Sequence, residues 1–240
     1  MCQAFSAIVT KSRKVYWQAG MDSHDELCTK FEMEKLDNTT DPSEMRFARV
    51  EITPDKGYLY PDGNWTLKID ERIKPTWWMK RHEETAYKAL LKWKTEVYTF
   101  NLEEARNPIN PLKGRAKKPE QIDIENLEKW ESVRASVWYS VGESVWESVG
   151  ESVWASVRAS VWYSVGESVW YSVGDSVGAY IGSLFPDIKK WKHIDHPEGE
   201  YPFQPVVDLW KRGFVASYDG KTWRLHSGKS AKVVYEWNGQ

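Results

Sequence analysis

From Ser132 the chain repeats a four-residue unit, Ser-Val-[Trp/Arg/Gly]-x, through twelve copies, and Tyr180-Ile181-Gly182-Ser183 reads as a worn thirteenth. A strict period of four limits folding more than any other feature here. Trp138, Trp146, Trp154, Trp162 and Trp170 stand eight residues apart in the third position, with Arg or Gly between them. Trp, Arg and Gly are chemically unlike but share NGG codons. A set joined by codon suggests recent duplication at a solvent-exposed column, with Ser and Val turned inward.

One continuous α-helix through the array would be about 77 Å long. Each unit would turn the Val row by a further ~40°, so it would circle such a helix within about nine units. The many Gly, Val and Ser residues also lower helix propensity. A β-solenoid with an even number of units per coil would stack the Trp columns over a Val interior. The solenoid is therefore the preferred expectation, with a packed long helix as the alternative.

The flanks read differently. Segments 3–9, 15–17, 46–53 and 65–70 carry strand patterns. Ser23-x-x-Glu26 reads as a capping box opening a short helix, and Pro75 as the opening of a helix through Tyr98. Along that helix Trp78, Tyr87, Leu90, Leu91, Lys94 and Val97 come near one stripe. Residues 1–105 are thus expected to form an α+β domain. Residues 106–121, rich in Pro and Lys/Arg, read as a basic linker, and 122–185 as a helix followed by the array. Residues 186–240 read as a C-terminal helix, stopped by Gly213, and a small β-meander turning at Asp219-Gly220 and 227–231.

MCQAFSAIV, DSHDEL (22–27), the array and DLWKRGFVASYDGKTWRLHSGKSAKVVYE (208–236) together resemble a poorly characterised group of bacteriophage accessory proteins. The resemblance implies an accessory phage role, with no defining reaction. The start is also similar to the N-terminal-nucleophile glutamine amidotransferases, although Gln3 and Ala4 replace their Gly-Ile pair and no later motif of theirs is evident.

Composition narrows the function classes. Lys and Arg number 33 against 35 Asp and Glu, which excludes a globally basic nucleic-acid binder but not a local basic patch. Two cysteines give no disulfide framework and point to a reducing, cytoplasmic setting: the host cytosol, if the chain is phage-encoded. No stretch is long enough to span a membrane, and no cofactor or metal is expected.

Cys2 is the sharpest catalytic candidate. Removal of Met1 would leave its own α-amine as a nearby base, with His24 assisting. The bland reading is a buried strand residue. Ser23, His24 and Asp25 are adjacent and cannot face one another as a triad, so a helix N-terminus is the better reading. SGKS (227–230) lacks the upstream Gly of a phosphate loop. His193 and His196 of HIDH have no third ligand nearby in sequence. Arg106, Lys113, Arg115, Lys117 and Lys118 could grip phosphates, and Trp77 and Trp78 could stack on a base. A solvated charge run and core aromatics are the bland alternatives.

Non-enzymatic binding is favoured: capture of a host protein or a small anionic nucleotide-like ligand, with homo-oligomerisation through the array. The alternatives are an enzyme using Cys2 and a structural spacer or virion component.

Overall fold

The computed structural model describes residues 5–34, 41–55, 63–165 and 174–239. It is a mixed α+β protein with two antiparallel sheets, and it divides into two units. The first comprises residues 1–99 with 146–155, the second 100–145 with 156–240.

The first unit is built on strands β1 (Phe5–Thr10), β2 (Val15–Tyr16), β3 (Phe47–Pro54) and β4 (Trp65–Ile69), in the order β2-β1-β3-β4. Successive side chains alternate between faces. Phe5, Ala7 and Val9 share one face with Ala48, Val50 and Ile52, while Ser6 and Ile8 share the other with Glu51 and Arg49. Helix α1 (His24–Lys30) covers part of the second face, where Leu27 and Cys28 pack with Ile8 and Phe47. Ser23 is its N-cap, as the capping-box pattern predicts.

Helix α2 (Lys80–Val97) covers the first face. Trp93 meets Phe5 at 5.6 Å and Trp65 at 6.1 Å between ring centroids. The helix begins later than Pro75. Trp78 N–H bonds back to the Pro75 carbonyl in a turn, and His82 Nδ1 accepts from Met79 N–H where the helix starts. Its buried stripe is His82, Ala86, Ala89, Leu90, Trp93 and Val97. Leu91 is exposed, so the expected stripe was centred one position away from Trp93.

Among the described residues the array is helical, which corrects the solenoid expectation. After α3 (Leu102–Arg106) and α4 (Gln121–Val133), a 3-10 segment, Arg134–Ser136, leads into α5 (Val137–Val149). Helices α6 (Glu151–Val165) and α7 (Gly174–Gly182) follow. The physical reason lies in the doublet itself. Val at i, Ser at i+3 and Val at i+4 form the i, i+3, i+4 stripe of an amphipathic helix. Val137, Ser140, Val141, Ser144, Val145 and Val149 are all buried. The drift of the Val row is interrupted before it carries Val to the far side: α5 ends after thirteen residues at Gly150, φ 93°. Val153, Val157 and Val161 are buried again in α6.

In the second unit the early and late copies meet. Trp138 lies 3.5–3.6 Å from where side chains on Gly174 and Gly178 would start, and Arg134 Nη1 donates to Asp175 Oδ2 at 2.6 Å. The third column is therefore partly a packing surface, with Trp received by Gly. Helix α8 (Gln204–Arg212) buries Val206, Leu209 and Trp210 and ends at Gly213, φ 90°. Tyr180 stacks on Trp210 at 5.2 Å. Strands β5 (Phe214–Tyr218), β6 (Trp223–Ser227) and β7 (Lys232–Trp237) form the meander. It docks on the array's ends: Arg134 lies over the Tyr218 and Trp223 rings, and Ser176 Oγ donates to the Ala216 carbonyl.

Candidate functional site

Two polar regions carry chemistry, one in each unit. In the first unit, the sheet face that holds Ile8 and Phe47 turns polar toward one end, where Ser6 pairs with Glu51 across β1–β3. His24, the first residue of α1, reaches that end. Its Nε2 lies 3.0 Å from the Val50 carbonyl and its Nδ1 3.1 Å from Asp70 Oδ2. The residue is 6% exposed. Ligand atoms of His24, Glu51 and Asp70 all lie within 4.8 Å of one another. The neighbouring Glu71 is engaged by the Arg49 guanidinium, through Nε at 3.1 Å and Nη2 at 2.9 Å.

Three other histidines have a protein partner at each ring nitrogen. His82 accepts at Nδ1 from Met79 N–H and donates from Nε2 to the Lys11 carbonyl. His196 accepts at Nε2 from Trp191 N–H and donates from Nδ1 to the Pro197 carbonyl. His226 Nδ1 lies 3.0 Å from the Ala231 carbonyl, and its Nε2 lies 2.7 Å from the Ser217 hydroxyl, which can either donate or accept. His24 differs, because both of its nitrogens face oxygen acceptors.

In the second unit, the basic segment is held in place by its backbone. Lys117 N–H donates to Ser227 Oγ at 3.1 Å, Lys229 N–H to the Gly114 carbonyl at 3.2 Å, and Trp210 Nε1 to the Ile109 carbonyl at 2.8 Å. Gly228 (φ 75°) lies so close that a Cβ there would come within 2.4 Å of the Ala116 nitrogen. Arg106, Lys113, Arg115, Lys117 and Lys118 are all exposed. Lys117 Nζ also donates to the Arg212 carbonyl at the end of α8, at 2.9 Å. Exposed Lys211 and Lys229 flank the same anchored backbone.

Cys2 lies outside the described residues. Trp77 and Trp78 are buried, Trp77 Nε1 donating to the Met45 carbonyl and Trp78 Nε1 to Glu83, so neither offers a free stacking face. This corrects their reading as base-stacking residues: both rings are spent on the core of the first unit. SGKS forms the β6–β7 turn. His193 pairs with Glu143 at 2.8 Å, well apart in role from the buried His196. The association of His24 with Glu51 and Asp70 escapes sequence reading because α1 and the β3–β4 pairing assemble it from distant positions. The available signal was Arg49 and Glu51 alternating on a strand face that also carries Phe47.

Among the described residues, no helix is long and apolar enough to cross a membrane. No family model, no curated protein and no solved structure matches this chain.

Proposed function

We propose that the chain is an accessory binding protein, of the phage type its sequence resembles, that captures a small phosphate-bearing, nucleotide-like ligand on the basic segment of the second unit. The observation that carries this reading is the contrast between backbone and side chains over residues 113–118. The backbone is tied to Ser227 and Lys229 and the Lys117 side chain to the end of α8, while Lys113, Arg115 and Lys118 project into water. An anchored cationic ridge loses little freedom on meeting an anion, so more of the Coulomb attraction appears as affinity. With Trp77 and Trp78 buried, recognition rests on phosphate charge and not on a stacked base.

Titration of the full chain with ATP and with inorganic tripolyphosphate tests this. Both should bind, and binding should weaken about tenfold or more between 50 and 200 mM salt. Replacing Lys113, Arg115 and Lys118 together by Ala should abolish it while leaving the circular dichroism spectrum unchanged. Wild-type protein that binds neither anion, or a triple variant that binds as wild type does, overturns the proposal.

A further inference from the structure

We infer that His24, Glu51 and Asp70 form a binding site for one divalent first-row transition cation, with Ser6 as a supporting hydroxyl. The site lies wholly within the first unit and is independent of the anion-binding reading.

The argument starts from the imidazole. Val50 offers only a carbonyl to Nε2, so that nitrogen must carry the hydrogen. Nδ1 then turns its lone pair toward Asp70 Oδ2 at 3.1 Å, a carboxylate oxygen that also accepts. Something positive belongs between them, either a proton or a metal ion. A ring held by an N–H···O=C bond on one nitrogen, with the other facing carboxylates, is how metal-ligating histidines are oriented.

The distances suit a metal. With bonds of about 2.0–2.2 Å from the ion to N and O, adjacent ligand atoms stand roughly 2.9–3.5 Å apart in octahedral or tetrahedral geometry. The Nδ1–Oδ2 separation falls within that range. Glu51 is within 4.8 Å of both, so a modest side-chain rotation brings in the third ligand.

Ser6 supplies a separate observation. It is 3% exposed, and its Oγ is buried with no hydrogen-bond partner. Directly opposed residues of an antiparallel pair project to the same face about 5 Å apart, so Ser6 stands beside Glu51. An orphaned hydroxyl there lacks one partner, which a metal-bound water or a rotated Glu51 carboxylate supplies. Asp70 is half exposed and gives the ion a path in. One imidazole and two carboxylates form a mixed N/O set, of the kind that takes Zn2+ or Mn2+ more readily than a thiolate-seeking ion. Lys68, opposite Glu51 in β3–β4, is the competing cation at the rim.

The test uses the full chain, dialysed against chelator, and Mn2+ followed by electron paramagnetic resonance, with Zn2+ as competitor. The expected result is one Mn2+ per chain, displaced by one equivalent of Zn2+. Asp70→Asn and Glu51→Gln should each weaken binding at least about tenfold. Glu84→Gln, at an exposed position of α2, should leave it unchanged, and Lys68→Ala should strengthen it. His24 is buried, so its replacement could unfold the unit, whereas Asp70 lies at the surface and Asp70→Asn keeps the test interpretable. No stoichiometric Mn2+ or Zn2+ binding means that a proton holds the His24–Asp70 pair, and it overturns the inference. So does binding that survives in the Glu51→Gln/Asp70→Asn double variant.

Discussion

Each unit holds an antiparallel sheet, helices, a share of the array, and a polar set that includes a strand serine and a histidine. The second unit closes its Ser217–His226 set on itself, although Ser140 Oγ in α5 is buried there without a partner. Ser217 Oγ, His226 and the Ala231 carbonyl form an unbroken chain of donors and acceptors, and Arg224 beside them is bracketed by Asp219 at 2.6 Å and Glu236 at 2.8 Å. The first unit leaves its set open: Ser6 Oγ is orphaned and both nitrogens of His24 face acceptors. A polar group whose capacity is used up by its own fold is structure.

The array allows the same contrast at one column of the repeat, and here the largest effect is expected. Gly150 belongs to the first unit and Gly142 to the second, and both are third-position glycines. Gly150 has φ 93°, and a Cβ on it would meet Asp22 Oδ1 at 2.6 Å. Gly142 lies within α5, with nothing within 4 Å of its added Cβ. Gly150→Ala should therefore destabilise the chain by about 3 kcal/mol, through backbone strain and the clash with Asp22. Gly142→Ala should stabilise it by about 1 kcal/mol, through helix propensity. Urea denaturation of both variants reads the two signs. Equal shifts would mean that the break at Gly150 does not set the phase of the Val row.

Much of this was legible in the sequence. Alternation marked β1, β3 and β4, Ser23 marked the start of α1, and Gly213 marked the end of α8. The sequence favours a solenoid because it carries the drift of the Val row through the whole array as one continuous helix, whereas α5 ends at Gly150 and α6 restarts the row. Ser140 and Ser144 join Val137, Val141 and Val145 in one buried stripe at helical spacing. The breaks could not be placed, because Gly142 and Gly150 look alike in sequence. Only the Asp22 carboxylate, accepting from Ser152 N–H and Oγ at 3.1 Å each, makes the second one the start of a new helix. The His24 cluster stayed hidden for a similar reason: residues 24, 51 and 70 share no local spacing, and only α1 packed beside the paired strands β3 and β4 gathers them.

An intermediate effect sharpens the contrast between closed and open polar sets. Ser217→Ala removes the hydroxyl paired with His226 Nε2 and should destabilise by about 1 kcal/mol. Ser6→Ala removes a buried hydroxyl that bonds to nothing. In chelator-treated protein it should be neutral or stabilise by up to about 1 kcal/mol. Thermal melts of the two variants compare them directly. A loss of stability on Ser6→Ala in the absence of metal would show that this hydroxyl has a protein partner, and the open-set argument would fail with it.

The smallest effect separates two aspartates by pH. Burial holds the Asp22 carboxyl above the ordinary carboxylate range, against the opposing hydrogen bonds from Ser152. The folded state then binds more protons than the unfolded state across that interval. Stability consequently falls as pH rises from the ordinary value through the raised one. Asp219 is the reverse case: the Thr222 N–H, then Arg224 and the Lys221 N–H, hold it down at about 2. Its contribution is present above the ordinary carboxylate value and is lost as pH falls toward about 2. Urea unfolding across the acid range should therefore show a maximum, with Asp22 contributing to the high-pH limb and Asp219, together with the lowered carboxyls of Asp41 and Glu143, to the low-pH limb. Asp22→Asn keeps an oxygen to accept from Ser152 but removes the charge, so it should flatten the high-pH limb alone. Asp219→Asn should make the low-pH limb shallower and leave the high-pH limb unchanged. If Asp22→Asn leaves the high-pH limb unchanged, desolvation does not govern that carboxyl, and the Asp22 cap on α6 behaves as a surface cap would.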